Sequence, residues 1–421
     1  MGCTPRVSGP PTGRVGGVAG VSAAQGNSAK RLSRVTNLAR TQGNDLTLPF
    51  RFGPNVYIAQ TQLGFEGFAW EEIAASFKDA SEAHRAGRLE GARELGRRNV
   101  PDRAGITIFT APHPEPLRLL RTSEDVFAVV GYRHGLTADP TALERIAAIA
   151  REAPYVEQAL AMRTRLMPGT RSGRRLRYRV IARMAGEHQF RRVDMARAIS
   201  RGIAERGDHS WRPSPNEADV EFWATLLPGE LLLAIRLSDE RLRHRDYKVA
   251  HLPGSLRPSV AAALALLSKP MPEDVVLDPL CGVGTLLIER AHLERYRLLI
   301  GCDRDAKALS AARENVGPRY KPLELHGWDA TALPLPDSSI AKIITNLPWG
   351  IRHGSHEDNR RLYPRILQEF HRLLQPGGKI VILTGETRLM SDLITHGLFR
   401  PDKILRVSIL GASATVYVSS T

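Results

Sequence analysis

Val275-Val276-Leu277-Asp278-Pro279-Leu280-Cys281-Gly282-Val283-Gly284-Thr285 decides the fold. A short β-branched run ends on a carboxylate, breaks at a Gly-rich turn and enters an apolar run, Leu286 to Leu293, that reads as a helix. Gly282 and Gly284 let a ligand approach the backbone closely. No third glycine and no Lys-Ser/Thr pair follows, so the stretch satisfies neither a dinucleotide fingerprint nor a phosphate loop.

The same alternation continues outward from this stretch. A helix, Ser259 to Leu267, precedes it. Strand Leu298 to Asp303, helix Ala306 to Val316, strands Leu323 to Trp328 and Lys342 to Asn346, and helix Arg361 to Leu374 follow it. Gly377-Gly378 turns into strand Lys379 to Leu383, and Lys403 to Leu410 with Thr415 to Ser419 read as a closing hairpin. Short apolar strands alternating with helices predict an α/β, doubly wound, Rossmann-like parallel sheet over residues 248–421. An antiparallel hairpin at the end of such a sheet is the habit of class I methyltransferases rather than of dehydrogenases.

Upstream, the pattern is α+β. Val56 to Ala59 reads as a strand, Gly64-Phe65-Glu66 leads into a helix through Ile73, and strands are expected near Ile106–Thr110 and Val126–Val130, with Arg85 to Arg103 an exposed excursion. A second block has helix Ala142 to Ala150, strand Arg177 to Ala185, helix Asp194 to Arg206 and a strand pair, Ala218 to Leu226 with Leu231 to Leu237. Residues 1–50 are rich in Gly, Ser, Pro and Arg and are expected to form a disordered basic arm.

The 421 residues carry a net charge of +15, which favours a polyanionic partner, nucleic acid before membrane. The arm holds six basic residues against Asp45 alone, so a third of that charge lies there. Three cysteines make neither a disulfide framework nor a Cys-rich zinc site, and no run approaches the ~18 apolar residues of a bilayer span. A cytoplasmic protein with no metal is the expectation. No acid lies between Glu157 and Glu187, whereas Arg163, Arg165, Arg171, Arg174, Arg175, Arg177, Arg179 and Arg183 all do. A run of this density without compensating carboxylates reads as a phosphate-binding surface.

The strand ends carry the chemistry. Asp278 suits the ammonium group of S-adenosylmethionine (SAM), a donor without phosphate, with Cys281, Gly282, Gly284 and Thr285 forming its loop. Asp303, ending the second strand, can accept both ribose hydroxyl hydrogens, and Asp329, ending the third, can accept from the adenine amine or simply form a turn. The fourth strand ends in Asn346-Leu347-Pro348-Trp349-Gly350. An exocyclic base amine is a poor nucleophile because its lone pair is delocalised into the ring. The Asn346 side-chain oxygen and the Leu347 carbonyl can each accept one amine hydrogen, Pro348 stiffens the turn, and Trp349 offers a stacking face for an extruded base.

Together these motifs resemble the THUMP-domain RNA guanine-N2 methyltransferases. Ile288-Glu289, the lead-in His251-Leu252-Pro253-Gly254-Ser255-Leu256-Arg257-Pro258, Leu362-Tyr363 and Pro376-Gly377-Gly378-Lys379 fall in the order of that family. Gly64-Phe65-Glu66 with Glu71-Glu72 is similar to the opening of its ferredoxin-like domain. Phe190, Arg191, Ser210-Trp211-Arg212-Pro213 and Arg245-Asp246-Tyr247 are similar to its THUMP domain and exit. The resemblance implies a ferredoxin-like domain over 51–135, a THUMP RNA-binding domain over 136–247 and a SAM-dependent methyltransferase domain over 248–421. It implies that Ser255 folds over the donor and that Arg212 joins the arginine run on RNA. The module would grip the 3′ end of tRNA while the methyltransferase reaches a guanosine at position 6 of the acceptor stem, with no obligate protein partner. A ribosomal RNA guanine-N2 methyltransferase shares these parts. An RNA-binding assembly factor with an inert methyltransferase fold is the reading from another class, and intact Asp278, Asp303 and Asn346 argue against it.

Overall fold

A computed structural model describes residues 50, 52–82, 91–100, 104–171, 173, 175–207, 210–351 and 354–421. The expected basic arm therefore lies outside the described residues except for Phe50, whose ring stacks on Tyr132 at 4.2 Å. Arg174 lies outside them as well.

The amino-terminal part is built on one eight-stranded sheet. Its strands are β1 (Val56–Thr61), β2 (Arg93–Val100), β3 (Ala104–Thr110), β4 (Asp125–His134), β5 (Arg177–Met184), β6 (Arg212–Pro213), β7 (Val220–Leu227) and β8 (Glu230–Arg236), in the order β2-β3-β1-β4-β8-β7-β5-β6. Helices α1 (Glu66–Glu82), α2 (Ala142–Glu152), α3 (Val156–Leu166) and α4 (Arg192–Ala204) accompany it, with a short α5 (Arg241–His244) after it. One apolar cluster, including Tyr57, Phe109, Ile146, Ile199 and Phe222, runs across these elements. β4 pairs antiparallel with β8 from Phe127↔Arg236 to His134↔Glu230, so the expected 51–135 and 136–247 segments share this sheet.

Part of the expected excursion, Arg85 to Arg103, is in fact strand β2, paired with β3 at the sheet's edge. Most of its charges are paired, which suits an edge strand: Arg98 meets Glu230 at 2.8 Å and Arg97 meets Glu94 at 2.5 Å, while Arg93 is exposed.

The carboxy-terminal sheet has strands β9 (Val275–Asp278), β10 (Leu298–Cys302), β11 (Leu323–His326), β12 (Ile340–Asn346), β13 (Leu374–Thr384), β14 (Lys403–Ile409) and β15 (Ala412–Ser420). Their order is β11-β10-β9-β12-β13-β15-β14, parallel as far as β13 and antiparallel through the last two. Helices α6 (Pro258–Leu267), α7 (Thr285–Leu293), α8 (Ala306–Val316), α9 (His356–Leu373) and α10 (Thr387–Thr395) connect the strands. α10 went unread in the sequence and α9 starts five residues before the expected Arg361, on a capping box in which Ser355 and Asp358 satisfy each other's backbone amides. Gly377-Gly378 turns out of the ladder inside β13, where the register jumps from Ile340↔Leu374 to Lys342↔Lys379.

The two sheets are joined by specific contacts. Phe65 and Phe68 sit in the same core cluster as Leu264, Val381 and Val407. Gly64 (φ +94°) lies so close to the β14 backbone that a Cβ would meet the Arg406 carbonyl at 2.7 Å. The fully buried Glu289 carboxylate accepts from Arg121 Nε (2.6 Å) and the Tyr247 hydroxyl (2.7 Å) and pairs with Arg245 (3.4 Å). Deleting that carboxylate would strand two poorly solvated guanidinium groups, at a cost of about 3–5 kcal/mol.

Candidate active site

In an open parallel sheet, ligands settle beyond the carboxyl ends of the strands, where the strand order reverses. Here that crevice lies between β9 and β12, so Asp278 and Asn346 flank it directly.

The loop from β9 to α7 is shaped by its glycines. Gly282 (φ +52°) and Gly284 (φ +80°) are both left-handed, and a Cβ on Gly282 would project into open space. Gly284 differs from expectation. It caps α7 and faces Ala312 and Val316 of α8, which a Cβ would touch at 3.5–3.6 Å, so it serves helix packing and not a cavity wall. Asp303 clamps the loop from β10: one carboxylate oxygen accepts from the Gly282 amide and the other from the Asp305 amide, each at 2.9 Å. Lone pairs remain on both oxygens for ligand hydroxyls.

Asp278 is 1% exposed and accepts from the Leu280 amide at 3.3 Å. Burial pushes its carboxyl up to about 7, and the neighbouring Asp303 charge pushes in the same direction. The Thr285 hydroxyl, in the same cavity lining, is buried without a hydrogen-bond partner. A poorly compensated buried carboxylate, an orphaned hydroxyl and an open approach at Gly282 fit a ligand with a cationic head and sugar hydroxyls. Cys281 lines the same wall, with burial raising its thiol well above the usual range and its amide bonded to the Cys302 carbonyl at 2.8 Å.

These groups open onto one cavity of about 660 Å³, within the ordinary range for small-molecule sites. Residues 252–257 form another wall, where Ser255 folds a turn by bonding both the amide and the carbonyl of Leu252. Asp329 does not line the cavity. Its carboxylate accepts from the Thr331 amide (2.9 Å) and hydroxyl (2.8 Å) and lies 3.6 Å from Arg304, so it is a turn former. Strand β11 ends at His326, two residues earlier than expected, and the His326 and Trp328 rings stack at 3.9 Å.

Asn346, Leu347, Pro348 and Trp349 line the cavity beside Asp278. The Trp349 indole N–H donates to Asn346 Oδ1 at 3.0 Å. An indole nitrogen only donates, so this bond fixes which end of the Asn346 amide is oxygen and leaves one acceptor direction for a substrate. Gly385 lies flush against the indole: a Cβ there would meet the ring at 2.8 Å. Trp349 is thus a wall residue packed on the core as well as a cavity face. The Pro348 carbonyl is already taken, by the Tyr363 hydroxyl at 2.7 Å and Asn359 Nδ2 at 3.0 Å. Asn359 also donates to Glu386 (3.1 Å), which holds His356 at 2.8 Å. Sequence reading missed Asn359 and Glu386. They meet only when α9 packs beside the end of β13, and neither sits in a recognisable motif.

Part of the arginine run is compensated in three dimensions. β5 pairs in parallel with β7, which sets Arg177 against Asp219 (3.2 Å) and Glu217 and sets Arg179 against Glu221. Arg165 pairs with Glu115, and Arg183 reaches Gln60 at 2.5 Å and stacks over Trp223 at 4.4 Å. Arg163 is half-buried, whereas Arg171, Arg175 and Arg212 are exposed. For Arg177 and Arg179 the local absence of acids is made up by residues about 42 positions away in sequence, which the pairing of β5 with β7 brings alongside.

The strand order, the terminal antiparallel hairpin and the loop geometry define a class I methyltransferase domain. Residues 245–413 match the UPF0020 family model, described as an RMKL-like methyltransferase domain. The family resemblance drawn from the motifs is borne out. The chain is 30% identical over 260 residues to mouse (Mus musculus) tRNA (guanine(6)-N(2))-methyltransferase THUMP3, covering 58% of this chain and 51% of that protein. It is 33% identical over 223 residues to U6 snRNA (guanine-N(2))-methyltransferase THUMPD2 of Bos taurus, covering 52% and 42%. It thus spans about half the length, or less, of these curated relatives. Among solved structures, TrmN from Thermus thermophilus superposes with a TM-score of 0.67 at 25% identity, over 86% of this chain and 98% of that one.

Proposed function

We propose that this chain is a SAM-dependent methyltransferase that modifies the N2 amine of a guanosine in tRNA, at position 6 of the acceptor stem. One observation carries the reading: the Asp278–Thr285 loop with Asp303, and the Asn346–Trp349 tetrapeptide, face a single cavity. Asp278 would hold the donor's ammonium group, Asp303 its ribose hydroxyls, and Ser255, Cys281, Gly282 and Thr285 its surroundings. When bound, the donor supplies an electrophilic sulfonium methyl.

The chain's own residues then do the positioning. Asn346 Oδ1, oriented by Trp349, and the Leu347 carbonyl each accept one amine hydrogen and so aim the amine lone pair. Tyr363 and Asn359 occupy the Pro348 carbonyl, which removes it as a competing acceptor. No strong base is needed, because the proton leaves after the amine has become cationic. Trp349 offers a face for the extruded base, and the proton released from the methylated amine passes to solvent.

The names of the matched relatives support a guanine-N2 target, and one of them specifies position 6 of tRNA. The amino-terminal sheet would supply the ferredoxin-like (51–135) and THUMP (136–247) functions, with Arg163, Arg165, Arg171, Arg174, Arg175, Arg177, Arg183 and Arg212 as its RNA-facing set. Those already paired with acids contribute less than the exposed ones. Two buried free cysteines, Cys281 and Cys302, accord with a reducing, cytoplasmic setting. Among the described residues, no helix is long and apolar enough to cross a membrane.

The test is nucleoside mass spectrometry on a tRNA transcript incubated with the chain and SAM. Intact tRNA should gain one or two N2-methyl groups at position 6, and removal of the 3′-terminal nucleotides should abolish transfer. Methylation of a U6 snRNA or ribosomal RNA fragment instead of tRNA, or equal methylation of the trimmed transcript, overturns the reading.

A further inference from the structure

The hairpin joining β14 to β15 turns in two residues, Leu410 and Gly411, between the paired Ile409 and Ala412. Both are left-handed, with φ of +54° and +85°. A two-residue turn of this kind selects Asn, Asp or Gly at its first position, and a leucine there is strained against its own Cβ. Nor is burial its compensation, since Leu410 is 68% exposed.

The strained turn is held firmly in place. The Leu410 amide donates to Gln62 Oε1 at 2.8 Å, and Gln62 Nε2 donates to Glu124 at 2.9 Å. Glu124 in turn binds Arg257 (3.1 Å) and Ser259 (3.2 Å), at the start of the methyltransferase domain. The Ser408 amide donates to the Leu63 carbonyl at 2.9 Å. An apolar side chain kept in a costly conformation, on a turn fixed from two sides, points to a function at that spot.

Leu410 lines the mouth of the cavity, as does Ile351, which is 78% exposed and follows Gly350 in the Asn346 loop. The groups suited to the donor come from the ends of β9 and β10. Leu410 and Ile351 come from other elements and are largely exposed. We propose that Leu410, with Ile351, forms an apolar lip that packs on the base next to the extruded guanosine, taking the place that guanosine leaves in the stack. This rests on the RNA-methyltransferase reading given above. Extracting a nucleotide exposes the π-face of its neighbour, and aliphatic wedges stabilise such unstacked steps in nucleic acids. The occupant is therefore an RNA base recognised by its face rather than its edge, and the contact carries no sequence preference of its own.

Leu410→Asn and Leu410→Met test this on the full chain. Asparagine suits the turn better and removes the apolar contact, whereas methionine keeps the contact. Leu410→Asn should melt no lower than wild type and bind SAM equally well, yet transfer methyl to tRNA at least 10-fold more slowly in single turnover. Leu410→Met should stay within about two-fold. A tRNA transcript with 2-aminopurine at position 7, mixed without donor, gives a readout independent of transfer. Its fluorescence should change with wild type and Leu410→Met and much less with Leu410→Asn. Equal behaviour of wild type and Leu410→Asn in both assays overturns the lip, as does the absence of a fluorescence response with wild type. A normal fluorescence pattern without methyl transfer by wild type leaves the lip standing and sinks the assigned reaction instead.

Discussion

Acidification should weaken donor binding, because the carboxylate assigned to the donor's ammonium group is the most strongly desolvated acid in the cavity. Asp278 is 1% exposed, accepts one amide hydrogen at 3.3 Å, and has its pKa raised from 3.8 to about 7 by burial, with Asp303 adding to the effect. The sign follows from linkage. A raised acid binds more protons in the folded chain than in the unfolded one between pH 4 and 7. Its contribution therefore favours the folded state at low pH and is lost as pH rises through that window, by about 4 kcal/mol in all. Binding a cation reverses the preference by selecting the ionised form. If the complex holds Asp278 fully ionised, the competent fraction falls from about one half at pH 7 to about 3% at pH 5.5, an affinity loss of about 15-fold. Binding at pH 6 should then release about 0.9 proton. Isothermal titration of SAM or S-adenosylhomocysteine at pH 6, in two buffers of unlike ionisation enthalpy, counts that proton directly. Asp278→Asn should bind more weakly and lose the pH slope. A wild-type Kd constant within two-fold from pH 5.5 to 7.5, or an unchanged slope in Asp278→Asn, refutes the assignment of the ammonium to this carboxylate.

Trp349→Phe keeps a stacking face but removes the indole donor to Asn346. A neutral hydrogen bond is worth about 1 kcal/mol, so kcat should fall about five-fold with donor affinity unchanged, and an unaltered kcat would show that the Asn346 amide needs no orienting. Asn346→Ala should lower transfer by about 10²–10³-fold while SAM titration stays normal; parallel loss of donor binding would move Asn346 into the donor site. Replacing the exposed Arg171, Arg175 and Arg212 together by alanine should flatten the dependence of log K on log salt for tRNA by about 2, as read by filter binding. An unchanged slope would remove this face from the RNA path.

Much of the carboxy-terminal domain is legible in the sequence because its signals are local. Val275–Asp278 is a short apolar strand ending on an acid, Gly282 must adopt a left-handed conformation, and Asn346-Leu347-Pro348-Trp349 forms a turn whose chemistry follows from four consecutive residues. The closing hairpin and the parallel order follow from the alternation of short strands with helices. The amino-terminal half is less legible. The charged strand β2 has no apolar period to mark it, and the union of eight strands in one sheet depends on β4 meeting β8 some hundred residues away.

The residues alone therefore determine which groups can hold a donor and accept an amine hydrogen, since that depends on side-chain chemistry at strand ends. Tertiary structure decides which of those groups remain available. It gives Asp329 to a turn and Gly284 to helix packing, pairs Arg177 with Asp219 just before β7 and Arg179 with Glu221 on it, and uses Trp349 to orient Asn346. It also raises Asp278 towards neutrality by enclosing it. Hydrogen-bond capacity and solvation are shared among neighbours, and only the fold says who the neighbours are.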